Sequence, residues 1–299
     1  MNQSTSKAEI VGINKRTLKN KLNEYKKSPI SLLLAILTFL GAIITVGLLL
    51  LIIIYILIKG FPHLNLNMFA WDYSTDNLSM MPAIINTFLM VFWALLISVP
   101  FGVGSAIYLV EYAKKDNKLV GIIRLTTETL QGIPSIVYGL FGFLLFVITL
   151  GWSYSLMAGA FTLAIMCLPL IMRSTEEALK AVPDSFREGS YGLGAGKLRT
   201  VLRIVLPSAS KGILAGVILS IGRIVGETAA LIYTAGTVTG QAFNPMDSGR
   251  TLSIHMYALI NEGIYVDAAF ATSVVLLIMV LVINAFSTFI AGRLANNKK

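Results

Sequence analysis

The sequence predicts an all-α polytopic membrane protein with six transmembrane helices, and three observations carry that prediction. The chain of 299 residues is 56% hydrophobic, with a mean hydropathy of +0.76. Only 13% of it is charged, about half the ~25% of a soluble globular domain. Several apolar runs also reach the ~20 residues that a bilayer crossing needs.

Residues 1–28 form a polar segment with seven lysines and arginines, and 29–299 form the membrane domain. The first apolar run, Leu32 to Ile58, is too long for a signal-peptide core and has no small-residue cleavage site after it, so it reads as a retained span. A loop follows at 59–81, whose Phe61, Trp71 and Tyr73 suit interface anchors. The second span runs from Pro82 to Tyr108, with a kink or break expected near Pro100 and Gly102. After the basic turn at 111–118 comes a mixed segment with Arg124 and Glu128. A third span is expected over Gly132–Leu150, where Pro134 and neighbouring glycines suit either a moving gate or simple close packing. The fourth span covers Leu156–Met172, the fifth about Ala209–Ala235 and the sixth about Ala268–Ala291. A polar stretch, 173–208, separates the fourth and fifth.

Six spans put both termini on one side, and the charges say which. The N-terminal segment, the 111–124 turn, the 173–211 stretch and the C-terminus hold seven, four, seven and three lysines and arginines, 21 of the 24 in the chain. Cytoplasmic loops attract such residues, so both termini are expected inside. There the net charge of +9 faces anionic lipid and cytoplasmic partners rather than nucleic acid. Cys167 is the sole cysteine and lies in an apolar run, which excludes a disulfide within the chain. His63 and His255 fall in separate loops without carboxylate company, a poor basis for a metal site.

The stretch Glu188–Pro207 is polar, basic and glycine-rich. It is not a phosphate-binding loop: the required first glycine is Tyr191, and Leu198 follows Gly196-Lys197 where Ser or Thr is needed. The glycines instead predict a helix over Phe186–Leu193, a turn at Gly194–Gly196, and a second helix from Lys197 to Val205 running up to Pro207. Small residues at Gly189, Ser190 and Gly192 allow close approach of another protein.

Glu188-Gly189-Ser190, then Gly194, then Ile204, Leu206 and Pro207 resemble the E-A-A-x3-G-x9-I-x-L-P loop of permease subunits in binding-protein-dependent ABC importers. Both spacings match; Gly-Ser stands where two alanines are usual, and Gly189 weakens the helix by about 1 kcal/mol relative to Ala. Further stretches, AIYLVEYA (106–113), GIPSIVYGLFG (132–142), RSTEEAL (173–179), GRIVGETAAL (222–231) and TLSIHMY (251–257), are similar to the PstA-type permease of phosphate importers. The resemblance implies a type I ABC importer permease fold and a loop seated in a groove of an ATPase. It implies as partners a second permease (a heterodimer), two ATPase subunits and an extracytoplasmic phosphate-binding protein. It also implies that this chain binds no cofactor itself, ATP-Mg being used by the ATPase, and that Arg223, Arg173 and Glu176 occupy positions of phosphate passage.

Arg223 near the middle of the fifth span costs about 2.5–3.5 kcal/mol on insertion scales, so it is expected to face a cavity or partner. Carried through as one helix at 100° per residue, the span puts Glu227, Ser220, Thr234, Gly212, Gly216, Gly226 and Ala230 in one small, polar wedge with Arg223. Leu214, Ile218, Ile221, Val225 and Ile232 lie opposite. That wedge suits a helix seam with a structural Arg223–Glu227 ion pair, or a transport route in which Arg223 grips an oxyanion while Glu227 steadies it. Arg173 and Glu176 are a candidate second station or ordinary interface charges. The outer loop 237–266, with Gln241, Asn244, Asp247 and Arg250, suits docking of a binding protein. Other readings are a permease for a molybdate- or sulfate-like oxyanion and a secondary carrier using Glu227 for protons; no internal inverted repeat supports the carrier. No nucleophile–His pairing, HExxH or paired membrane aspartates favour an enzyme.

Overall fold

The computed structural model describes residues 29–114 and 117–296, and the basic N-terminal segment lies outside them. The described residues are mostly helical, with no strand among them. Contacts divide the chain into two units, Met1–Tyr55 and Ile56–Lys299.

The first unit's described part is most of α1, Pro29–Gly60. Its run of leucine and isoleucine carries two hydroxyls, and both bond back to the helix: Thr38 Oγ1 to Leu34 O and Thr45 Oγ1 to Gly41 O, each 2.8 Å. In hydrocarbon a polar group must be satisfied internally.

In the second unit the chain continues as α2 (Met81–Ile107), α3 (Lys118–Gln131), α4 (Ser135–Gly142), α5 (Leu156–Lys180), α6 (Asp184–Gly192), α7 (Lys197–Thr200), α8 (Leu206–Gly226), α9 (Ala229–Thr234), α10 (Leu252–Asn261) and α11 (Val266–Asn296). Wide π-turns extend α2 to Tyr112 and α4 to Thr149, and another, Val201–Val205, joins α7 to α8. By length and composition five helical stretches can cross a membrane, and six if the bent pair α3–α4 counts as one.

The third span, expected over Gly132–Leu150, is helical from Ser135 to Thr149, and the bend that Pro134 suggested lies at its entry. Pro134 starts α4, and the pair of helices is bent by 105°. The glycines after the bend serve close packing. A Cβ on Gly142 would lie 2.1 Å from Thr162 Oγ1, and one on Gly139 2.8 Å from the Ala230 backbone. The second span shows no break at Pro100, which lies inside α2, while Gly102 lets α2 approach Ile171 of α5.

The core centres on α5, which touches α2, α3, α4, α8 and α9. Its small residues Ala158, Gly159, Ala160, Ala164 and Cys167 are buried and let neighbouring backbones come close, as membrane helix seams require. The helix outruns the predicted Met172 because the polar residues beyond it pair one turn apart: Arg173 Nε with Glu177 at 3.2 Å and Lys180 Nζ with Glu176 at 2.6 Å.

The fifth span departs most from expectation. It is helical only to Gly226, then Glu227 adopts an extended conformation and α9 restarts at Ala229. Two contacts hold the break. The Glu227 carboxylate accepts the Ala230 N–H at 3.1 Å, and Ser253 Oγ donates to the Glu227 carbonyl at 2.6 Å. The loop that follows α9 is stapled to α2 by Asn86, whose buried amide donates to Gly240 O and Arg250 O and accepts the Ala242 N–H.

Candidate functional site

The stretch read as a coupling loop folds as a helix–turn–helix. Helix α6 ends at Gly192, and the turn closes through Gly194 N–H to Tyr191 O and Ala195 N–H to Ser190 O. Gly194 has φ +80°, a left-handed conformation that costs another residue about 1–2 kcal/mol. Ser190 and Thr200 share a buried hydroxyl hydrogen bond of 2.8 Å that clamps α6 to α7. The second helix does not stop at Pro207. The π-turn carrying Ile204 passes directly into α8, with Leu206 and Pro207 in its first turn. Widening the turn there accommodates a ring that an α-helical interior would not.

Glu188, Gly189, Gly192 and Gly194 are exposed, and a Cβ on any of these glycines would meet nothing within 4 Å. Phe186, Leu193 and Leu198 stand out beside them, Leu193 at 91% exposure. The motif thus presents a small-residue, apolar-edged surface on a rigid base. That base is Arg187, which sequence reading passed over. Its Nη2 and Nε reach Glu111 Oε1 at 2.8 and 3.1 Å, and its Nη groups also donate to the carbonyls of Leu179 and Val182. The Glu111 hydrogen bond holds the Arg187 guanidinium more firmly charged than usual. Lys197 adds a contact over the Tyr112 ring at 5.0 Å. Glu111 and Arg187 lie 76 residues apart, so no local pattern announces the pair.

Arg223 and Glu227 form no ion pair among the described residues, because the chain breaks between them and Glu227 turns to cap α9. Two glycines of the predicted wedge, Gly212 and Gly216, form a seam with α5, whereas a Cβ on Gly226 would meet nothing within 4 Å. A Cβ on Gly212 would lie 2.5 Å from Ala178, and one on Gly216 2.5 Å from Ser174. Arg223 stands off that seam and lines a cavity of about 950 Å³ with Leu170, Lys211, Ala215, Leu219 and Asn284. Ile218, expected opposite Arg223, lines the same cavity.

Arg173 and Glu176 enter one charged cluster without pairing with each other. Glu176 is buried and forms ion pairs with Arg124 Nη2 at 2.8 Å and Lys180 Nζ at 2.6 Å. Arg173 meets Glu177 at 3.2 Å and Glu128 at 3.8 Å. Three cations and three carboxylates line this cleft of about 150 Å³, so their charges balance.

In the 59–81 loop, Tyr73 is no free interface anchor. The Arg250 guanidinium sits 4.6 Å over its ring, and buried His255 meets its edge at 6.1 Å. Burial, then the Arg250 charge, pushes the His255 imidazole down to about 3, and burial lowers Arg250 as well. Among the described residues no group of three or more His, Cys, Asp or Glu could hold a metal ion.

Helices long and apolar enough to cross a membrane, an exposed helix–turn–helix and an open cavity lined by two cations fit a multi-pass transport subunit of the membrane. The match to the family described as binding-protein-dependent transport system inner membrane component runs over residues 98–299, and the chain belongs to that family. The probable ABC transporter permease protein YqgI of Bacillus subtilis (strain 168) is 36% identical over 253 residues, covering 77% of this chain and 84% of that one. The phosphate transport system permease protein PstA of Pasteurella multocida (strain Pm70) is 33% identical, covering 91% and 94%. The solved bacterial alginate ABC transporter, in complex with an alginate-bound periplasmic protein, has a chain that superposes with a TM-score of 0.67 at 16% identity, covering 91% and 98%. That likeness is one of fold. The chain is accordingly an inner-membrane ABC importer permease, a transport subunit whose partners are, as a class, an ATPase and a binding protein.

Proposed function

We propose that this chain is the permease through which inorganic phosphate, delivered by an extracytoplasmic binding protein, enters the cell. The observation that carries the proposal is Arg223, a membrane-embedded guanidinium with no ion-pair partner among the described residues, facing a cavity. Such a group needs an anion, and its planar fork suits two oxygens of a tetrahedral oxyanion. Relatives named as phosphate transport permeases support phosphate as that anion.

In this reading Glu188, Gly189, Ser190 and Gly194 seat in a groove of the ATPase, with Ile204, Leu206 and Pro207 joining the motif to α8. Two ATPase copies and a second, different permease complete the assembly, and both termini lie in the cytoplasm with the 21 lysines and arginines noted above. ATP-Mg is bound and hydrolysed by the ATPase, whose closure swings the motif and tilts α8 as a rigid body. Glu227 serves as a helix cap rather than a clamp on Arg223. Arg173 and Glu176, in their balanced cluster, brace the cytoplasmic end of the route.

The test is uptake by proteoliposomes holding the whole importer, its binding protein and internal ATP. ATP-dependent accumulation of phosphate, not displaced by excess sulfate or molybdate, is expected. Accumulation that runs without ATP and collapses with the proton gradient would replace the reading with a secondary carrier.

A further inference from the structure

The cavity that holds Arg223 holds a second cation. Lys211, near the start of α8, lines it together with Arg223 and the α11 residue Asn284. Neither cation has an ion-pair partner among the described residues, and no carboxylate lines the cavity. The other lysines and arginines that line a cavity, Arg124, Arg173 and Lys180, are all paired. The walls between Lys211 and Arg223 are apolar: Leu170, Ala215, Ile218 and Leu219. Low-dielectric walls focus a field of one sign and raise the local concentration of the opposite ion. Asn284 also lines it; its buried side-chain oxygen has no hydrogen-bond partner among the described residues, and only its amide N–H groups can donate to an anion.

We propose that Lys211 is a second station for the transported oxyanion, reached after Arg223 and nearer the coupling-loop end of α8. This rests on the reading of the cavity as the phosphate route. The twelve steps from Lys211 to Arg223 span about 18 Å of helix at 1.5 Å per residue, too far for one small anion to touch both helix positions at once without the side chains reaching inward. The stations also differ in chemistry. Arginine offers a rigid two-pronged grip, whereas lysine is a hydrated point charge on a flexible stem. A strong site followed by a looser, more exposed one favours release, which conduction requires.

The test uses the assembled importer in proteoliposomes, with radiolabelled phosphate outside and ATP inside, and uptake normalised to recovered complex. Lys211→Ala is expected to lower maximal uptake by about tenfold, the loss of one charge-assisted contact. The phosphate concentration for half-maximal uptake and the ATP hydrolysis stimulated by the binding protein should stay near the parent values. Lys211→Arg should restore most of the uptake; Lys211→Gln replaces the alanine variant if that fails to assemble. Unchanged uptake in Lys211→Ala, with uptake abolished in Arg223→Gln, overturns the second station and leaves the route standing. Unchanged uptake in both variants removes the route itself. The same anion chemistry is offered by lipid phosphates, so the assay is repeated in phosphatidylcholine alone and with added phosphatidylglycerol. A Lys211→Ala defect of equal size in both supports the station; a defect confined to the anionic vesicles makes Lys211 a lipid anchor and overturns it.

Discussion

Two charged regions of this permease use the same residue types to opposite ends. In the cleft between α3 and α5, Arg124, Arg173 and Lys180 face Glu128, Glu176 and Glu177 at ion-pair distances. In the cavity along α8, Arg223 and Lys211 face apolar walls and no carboxylate. Charges that balance one another hold helices together. Half-buried Arg223 and exposed Lys211 have no counter-ion among the described residues and are free to take an anion from outside. The coupling motif belongs with the first kind, because Arg187 spends its hydrogen bonds on Glu111 and three other groups of its own chain.

The largest effect on the paired side is expected at that anchor. Arg187→Ala leaves buried Glu111 without its partner, which costs about 3–5 kcal/mol for a broken buried pair. A drop in thermal stability and loss of ATPase co-purification would register it; retention of both would show that the motif is held by other contacts. Next comes Glu176→Gln, which strips Arg124 and Lys180 of their shared carboxylate. Both cations are partly exposed, so the expected loss is about 2 kcal/mol, read as a lowered melting temperature with uptake per folded complex preserved. If stability holds and uptake vanishes instead, the cleft belongs to the route and the contrast between the two regions is wrong.

Gly194→Ala forces a side chain into the left-handed region at a cost of about 1–2 kcal/mol, while nothing obstructs its Cβ. Its stability should fall slightly and its coupling more, since the turn fixes the angle between α6 and α7; unaltered uptake by Gly194→Trp would refute the docking surface. The smallest effect concerns pH. The His255 imidazole sits at about 3 in the fold, below the ~6.5 of an unfolded chain. Between those values the unfolded state binds a proton that the folded state refuses, so stability is lost as pH falls below ~6.5, by at most about 1.4 kcal/mol per unit. His255→Phe should flatten that slope between pH 6.5 and 5; an unchanged slope would assign it to other groups.

How much of this was legible follows from what each feature depends on. The apolar runs announce the spans because their length alone answers the bilayer, and the glycine turn at Gly194 is local chemistry that fixed spacing reveals. The break after Gly226 was not legible. One of its two stabilising contacts comes from Ser253, 26 residues on, so a helical wheel carried through Glu227 put the acid beside Arg223. The wedge of glycines marked a real seam, but against α5, and Arg223 sits beyond its edge. Lys211 was counted only as one more basic loop residue. Its place on α8, twelve positions before Arg223, was the available signal, and only the shared cavity gives that spacing meaning.

The central claim is that Arg223 is unpaired because the transported anion is its partner. The most direct measurement is phosphate uptake and ATP hydrolysis, side by side, by the reconstituted importer carrying Arg223→Gln. The account predicts uptake reduced by about a hundredfold or more, two decades for one lost bidentate contact, with hydrolysis still stimulated by the binding protein. Uptake at the parental rate would contradict it and leave Arg223 a residue of the helix seam.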